Sequence, residues 1–104
     1  MSTDYISKIE NHINQLDVAY EKSILSNGEI LYSFKDLTAG IIAIKVILQD
    51  KLPIGFSIRG LYKEMKELEQ NCVLTDSLFD IQIRNYVIID EDTMRPMIVA
   101  VIEQ

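Results

Sequence analysis

Apolar residues open the chain at helical intervals. Ile6, Ile9, Ile13, Leu16 and Tyr20 are separated alternately by three and four positions, the stripe that a period of 3.6 residues lays along one helix face. Thr3 or Asp4 can cap its start, and Asn27-Gly28 offers a left-handed stop, so the spacing predicts a helix over residues 4–25. At 1.5 Å per residue that helix is about 33 Å long. Glu29, Ile30, Leu31, Tyr32, Ser33 and Phe34 follow as a short apolar, aromatic run, read as a strand or extended link.

Residues 36–51 carry two opposed signals. Ile41, Ile42, Ile44, Val46 and Ile47 are β-branched and favour a strand. Asp36 is a good helix cap, and a length of about fifteen residues before Leu52-Pro53 suits a helix. The segment is apolar nearly all round, which places it at the buried centre of the fold in either form. The expectation adopted is a helix, with Gly40 marking a close packing contact because glycine in a helix interior costs about 1 kcal/mol. Pro53-Ile54-Gly55 reads as a turn. Ser57 then caps a helix over 57–71, in which Ile58, Leu61, Met65, Leu68 and Cys72 repeat the three-four spacing and Asn71 is the stop.

From Leu78 the period shortens to two. Phe79, Ile81 and Ile83 alternate with Asp80, Gln82 and Arg84, the signature of a strand with one solvated face. The β-rich runs 86–89 and 97–102, joined by polar residues 90–96, read as a hairpin. Helices first and strands last imply an α+β fold occupying residues 1–104 as a single domain. It comprises a long N-terminal helix, a buried central helix and a third helix packed on a small antiparallel sheet that ends in a C-terminal β-hairpin. The expected core is Ile13, Leu16, Ile41, Ile44, Leu48, Leu61, Met65, Leu68, Ile81, Ile83, Val99 and Val101.

Composition narrows function more by exclusion than by assignment. With 104 residues, 48% of them hydrophobic and 25% charged, the chain suits one globular core and excludes wholesale disorder. A formal net charge of −6 argues against a general affinity for nucleic-acid phosphates or anionic membranes. One cysteine, Cys72, precludes an internal disulfide and suits a reducing compartment. The N-terminal residues have neither the basic nor the apolar region of a signal peptide, and residues 39–48 are too short to span a membrane. The expected location is cytoplasmic.

Candidate chemistry is sparse. His12, the sole histidine, has Lys8, Ile9, Gln15 and Leu16 within a turn, none of them a nucleophile or an orienting acid for a general base. Cys72 closes an apolar stripe near Glu69 and Asp76, whose charge raises a thiol pKa rather than activating it, so it reads as a core residue. Asp90-Glu91-Asp92 lacks the alternating ligands and central glycine of a calcium loop; it reads as a solvated turn that discourages edge pairing. None of Gly28, Gly40, Gly55 and Gly60 opens a phosphate-cradling motif. No metal, cofactor or catalytic residue is assigned.

Two surfaces remain. Arg59, Lys63 and Lys66 fall four and three apart on the predicted 57–71 helix and share a face, with Lys51 just upstream. The order helix, turn, helix, hairpin over residues 36–104 loosely resembles a winged helix with residues 90–96 as the wing, and that resemblance implies nucleic-acid contact through those three cations. The sequence departs from it at 75–84, where a recognition helix belongs but the pattern alternates like a strand. The other surface is the N-terminal helix, too long to be covered throughout, which would leave Tyr5, Ile6 and Ile9 as an apolar patch for a partner, most simply a second copy in a homodimer. The leading expectation is a small acidic protein-binding regulator of the inhibitor, immunity, anti-defence or adaptor kind, without catalytic activity. The alternative is the winged-helix-like nucleic-acid binder.

Overall fold

Left-handed backbone marks the places where the chain reverses. Asp50 and Lys51 (φ 52° and 67°) and Phe79 and Asp80 (φ 53° and 61°) form two consecutive pairs with positive φ. That is the requirement of a two-residue hairpin turn whose twist matches its strands. Gly28, at φ 88°, serves a third reversal, where its N–H donates to the Leu25 carbonyl and Asn27 Oδ1 accepts from Glu29 N–H. Between these points lie the elements of a computed structural model that describes residues 5–89 and 95–103. They are α1 (Tyr5–Gln15), β1 (Tyr20–Ile24), β2 (Ile30–Phe34), a 3-10 turn (Leu37–Ala39), β3 (Ile41–Gln49), β4 (Leu52–Gly60), α2 (Tyr62–Thr75), β5 (Ser77–Leu78), β6 (Ile81–Ile89) and β7 (Met97–Ile102).

The strands form one sheet in the order β1-β2-β3-β4-β7-β6-β5, and every pairing is antiparallel. Its inner face carries Ile30, Tyr32, Phe34, Ile44, Val46, Phe56, Ile58, Ile98, Ala100 and Ile102, all buried in one cluster with Ile9 and Ile13 of α1 and Met65 and Cys72 of α2. Both helices therefore cover the same face. α1 crosses it: Tyr5 Oη donates to the Glu103 carbonyl, Lys8 Nζ donates to the Asp80 carbonyl, and Tyr32 Oη donates to Glu10 Oε2 at 2.7 Å. Lys22 Nζ reaches the same Glu10 oxygen at 2.7 Å.

The predicted set of three helices is overturned, since two form among the described residues. Residues 36–51 are not a helix; they are the 3-10 turn and β3, one of the inner strands. Asp36 does act as a cap, but its side chain accepts from Thr38 N–H and holds only that short turn. β-branched propensity prevailed because β3 has a strand on each side to take its backbone hydrogen bonds, and its alternate residues Ile44 and Val46 enter the core. The long N-terminal helix ends at Gln15, since Asp17 turns left-handed at φ 54° and residues 20–24 pair with β2. Tyr20 matched the helical spacing but packs as a strand residue against Tyr32 and Phe34, with ring centres 5.9 and 6.0 Å away. The predicted turn at 53–55 lies within β4, as does Ser57. The next helix accordingly starts at Tyr62, after an extended Leu61 that contributes no side-chain cap. Without a helix over 36–51 the winged-helix likeness lacks its helix-turn-helix.

Gly60 seats this start. A Cβ there would collide with the Gly40 carbonyl oxygen and with Met65 Cε, and Leu61 N–H donates to that same carbonyl at 2.7 Å. Of the expected core, Ile13, Ile41, Ile44, Met65, Ile81 and Ile83 are buried, while Leu16, Leu48 and Leu68 pack partly against it. Leu61 and Val101 are 37% and 38% exposed, and Val99, opposite Val87, lies outside the core cluster. Ile9, expected on a partner-binding patch, is fully buried. Ile9→Ala should destabilise the protein by about 2–5 kcal/mol through the cavity it leaves. Ile6→Ala, at a half-buried site, should lose distinctly less, as measured by the shift in urea midpoints at constant slope.

Candidate functional site

Strand alternation that buries one face exposes the other, and among the described residues no helix covers that second face. Register places Val87, Val99, Ser57, Lys45 and Leu31 in one cross-strand row, and Ile89, Met97, Arg59, Ala43 and Ser33 in the next. A third row runs Val101, Gly55, Ile47. The face is thus uneven. Its β3–β4 centre holds small and polar residues, whereas its β6–β7 side is aliphatic, with Val87 58% and Val101 38% exposed.

One extra residue shapes this side. The β6–β7 register slips between Ile83 and Asn85, so Arg84 is a bulge residue. The slip changes which residues face outward: before it Ile81 and Ile83 point to the core, and after it Asn85 and Val87 face out with Val101 and Val99. A second slip, between Ile47 and Leu48, leaves Ile54 as the extra residue of β4. Ile54, Arg84, Val101 and Gln49 border a shallow depression at this margin.

Among the described residues, the charges on this face are cationic or spent. Glu29 is buried beneath its β2 edge, where its Oε2 accepts from Leu48 N–H at 3.1 Å and its Oε1 lies 3.8 Å from Lys45 Nζ. The Leu48 amide, helped by Asn27 and Lys45, holds the Glu29 carboxyl below the ordinary carboxylate range. Arg59 donates to the Arg95 carbonyl at 2.9 Å and to Met97 Sδ at 3.7 Å; no carboxylate pairs with it among the described residues. Carboxylates gather instead on α2, where burial and the neighbouring Glu67 raise the Glu64 carboxyl.

The residues singled out from sequence disperse. Arg59 belongs to β4 and points to the uncovered face, while Lys63 and Lys66 belong to α2, so the three share no helix face. Lys66 lies 3.6 Å from Glu69 and over the Tyr62 ring, and Lys63 borders a cleft with Glu64 and Glu67. Tyr5 and Ile6 are half-buried against the core beside Ile9. His12 packs against Phe79, ring centres 5.4 Å apart, and Phe79 lies against Phe56. Asp90, Glu91 and Asp92 lie outside the described residues. Cys72 is buried, and burial, with Asp76 and Glu69 nearby, pushes its thiol upward.

Val87, Met97, Val99 and Val101 were missed as a surface. The run 97–102 is uniformly apolar, so only its neighbours reveal which of its faces is covered. No group of three or more metal-ligating side chains occurs among the described residues, and no described helix is long and apolar enough to cross a membrane. No family model matches the chain, and no curated protein or solved structure matches it either.

Cys72 should react with a thiol reagent only as the native protein opens, so labelling should be slow and should accelerate with denaturant; rapid stoichiometric labelling would contradict its burial. Glu29→Gln should destabilise the protein by about 1 kcal/mol at neutral pH, because the Leu48 amide keeps a weaker, uncharged acceptor. Since the folded carboxyl is depressed, its contribution is complete above the ordinary carboxylate range of about pH 4–5 and is lost as pH falls through the folded value. Urea titrations of wild type and variant should therefore converge in acid.

Proposed function

We propose that this chain is a cytoplasmic protein-binding regulator, of the inhibitor, immunity, anti-defence or adaptor kind, acting by association rather than catalysis. Its binding surface is the uncovered face of the sheet. The observation that carries this reading is the coincidence of exposed Val87 and Val101 with Arg59, a cation without a carboxylate partner among the described residues, on a protein whose net charge is −6.

Complementarity defines the partner. An aliphatic strip contributes area, at roughly 25 cal/mol per Å² removed from water, and an adjacent arginine contributes direction. The partner is therefore a protein presenting an apolar surface that carries a carboxylate. An acidic or phosphate-rich surface without apolar groups would leave the valines solvated. A basic surface would be attracted to the α2 side instead.

Affinity capture from the native host, followed by titration with the purified partner, tests this reading. Val101→Asp and Arg59→Glu should each weaken binding at least about tenfold, the equivalent of 1.4 kcal/mol, with the far-UV spectrum unchanged. The double change Lys63→Gln and Lys66→Gln on α2 should leave binding unaltered. Fluorescence anisotropy with duplex DNA at low salt provides the opposite arm. Steeply salt-dependent binding abolished by changing Arg59, Lys63 and Lys66 to Gln would replace the protein-binding reading with nucleic-acid recognition.

A further inference from the structure

The two margins of the sheet are built differently. On the β1 margin, five residues long, Glu21 lies 3.2 Å from Lys35 and Lys22 lies 2.7 Å from Glu10. Charged side chains of this kind blunt an edge strand against further pairing. The opposite margin is closed only at one end. β5 has two residues, which pair with Ile81 and Gln82 of β6. The last bond toward that side is from Ile83 N–H to the Asp76 carbonyl. From Asn85 to Ile89 the outer edge of β6 has no strand partner among the described residues, while its inner edge is paired with β7 at every one of these positions.

This open stretch is extended, ordered by β7 and uncharged. Asn85, Tyr86, Val87, Ile88 and Ile89 include neither proline nor any ionisable group that is charged at neutral pH. Tyr86 keeps its phenol neutral, as burial raises its pKa further. Four of the five residues are aromatic or β-branched, the types enriched in paired strands. A preformed edge with unmade backbone hydrogen bonds calls for another strand.

We propose that this strand is β6 of a second copy, paired antiparallel about a two-fold axis at Val87. About this axis the five open residues pair only among themselves. Val87 then faces Val87 of the second copy, Tyr86 faces Ile88 and Asn85 faces Ile89. Directly opposed residues lie on the same side of a sheet, so Tyr86 and Ile88 meet on the covered side and the two valines on the uncovered side. No like charges oppose one another over these five positions. Two molecules that each carry −6 repel elsewhere, and the neutral margin is where they approach at least electrostatic cost. The product is one continuous sheet across both copies. The Arg84 bulge limits the pairing at one end, because a bulge twists its strand out of register. Pairing also joins the aliphatic rows headed by Val87 into a single two-fold surface.

Sedimentation velocity over a wide concentration range tests the pairing without any other partner. Wild type should sediment as a reversible dimer. Val87→Lys sets two like charges opposite each other at an exposed position, and should yield a folded monomer with an unchanged far-UV spectrum. Ile24→Lys, at a still more exposed site on the β1 margin, should remain dimeric. Hydrogen exchange on wild type supplies a second readout: some amides within 85–89 should gain protection as concentration rises. A wild type that stays monomeric, a dimer that survives Val87→Lys, or one dissociated by Tyr5→Ala on α1 instead would overturn the proposal. Val101→Asp separates this pairing from the binding reading above, since it should spare the dimer while weakening the partner.

Discussion

Two helices, of 11 and 14 residues, must cover a sheet of seven strands, and they do so on one face. α1 reaches from the β7 end to Tyr32 on β2, and α2 packs on β4 and β7. Once both are committed to the inner face, side-chain choice must make the outer face tolerable in water. Ser33, Ala43, Ser57 and Gly55 do this over β2, β3 and β4. The β6–β7 side keeps Val87, Val99 and Val101, and this imbalance makes one half of the outer face a candidate for association.

The placement of α2 rests on a close backbone approach. Gly60 ends β4 directly under the Gly40 carbonyl, which accepts from Leu61 N–H, while Met65 fills the space above the glycine. Gly40 itself sits at φ 77°, a conformation that disfavours any side chain. The 3-10 turn, the end of β4 and the first turn of α2 are thereby joined at one point. β4 stays straight enough to pair with β3 on one side and β7 on the other.

Charge follows the same division. α2 brings Glu64, Glu67 and Glu69 to the helical side, where burial and Glu67 raise the Glu64 carboxyl, and burial, Asp76 and Glu69 raise the Cys72 thiol. On the outer face the buried acid Glu29 is consumed by the Leu48 amide and Lys45, and among the described residues no carboxylate pairs with Arg59. Among the described residues, a protein of net negative charge thus presents a neutral-to-cationic sheet face, while carboxylates gather on α2.

The sequence by itself determined the segments in which regular structure forms and the strand character of the last third of the chain. The alternating residues 81–84 and the run 86–89 become β6, and the run 97–102 becomes β7, whereas Phe79 and Asp80, read as part of the alternating strand, form the turn between β5 and β6. Ile13, Met65 and Cys72 are readable as helix residues facing a core, whereas Ile9, on the same stripe, reads as part of an exposed patch and is buried. Tertiary structure alone decided residues 20–24 and 36–51. Tyr20 satisfies a helical interval and a strand position equally, and the β-branched run of β3 became a strand because β2 and β4 were there to receive its hydrogen bonds on both sides. The candidate site was hidden for the same reason. A uniformly apolar strand such as 97–102 does not declare which of its faces will be covered, and Arg84 betrays nothing in sequence of the bulge that turns Val87 outward. Both depend on where two short helices run out of sheet to cover.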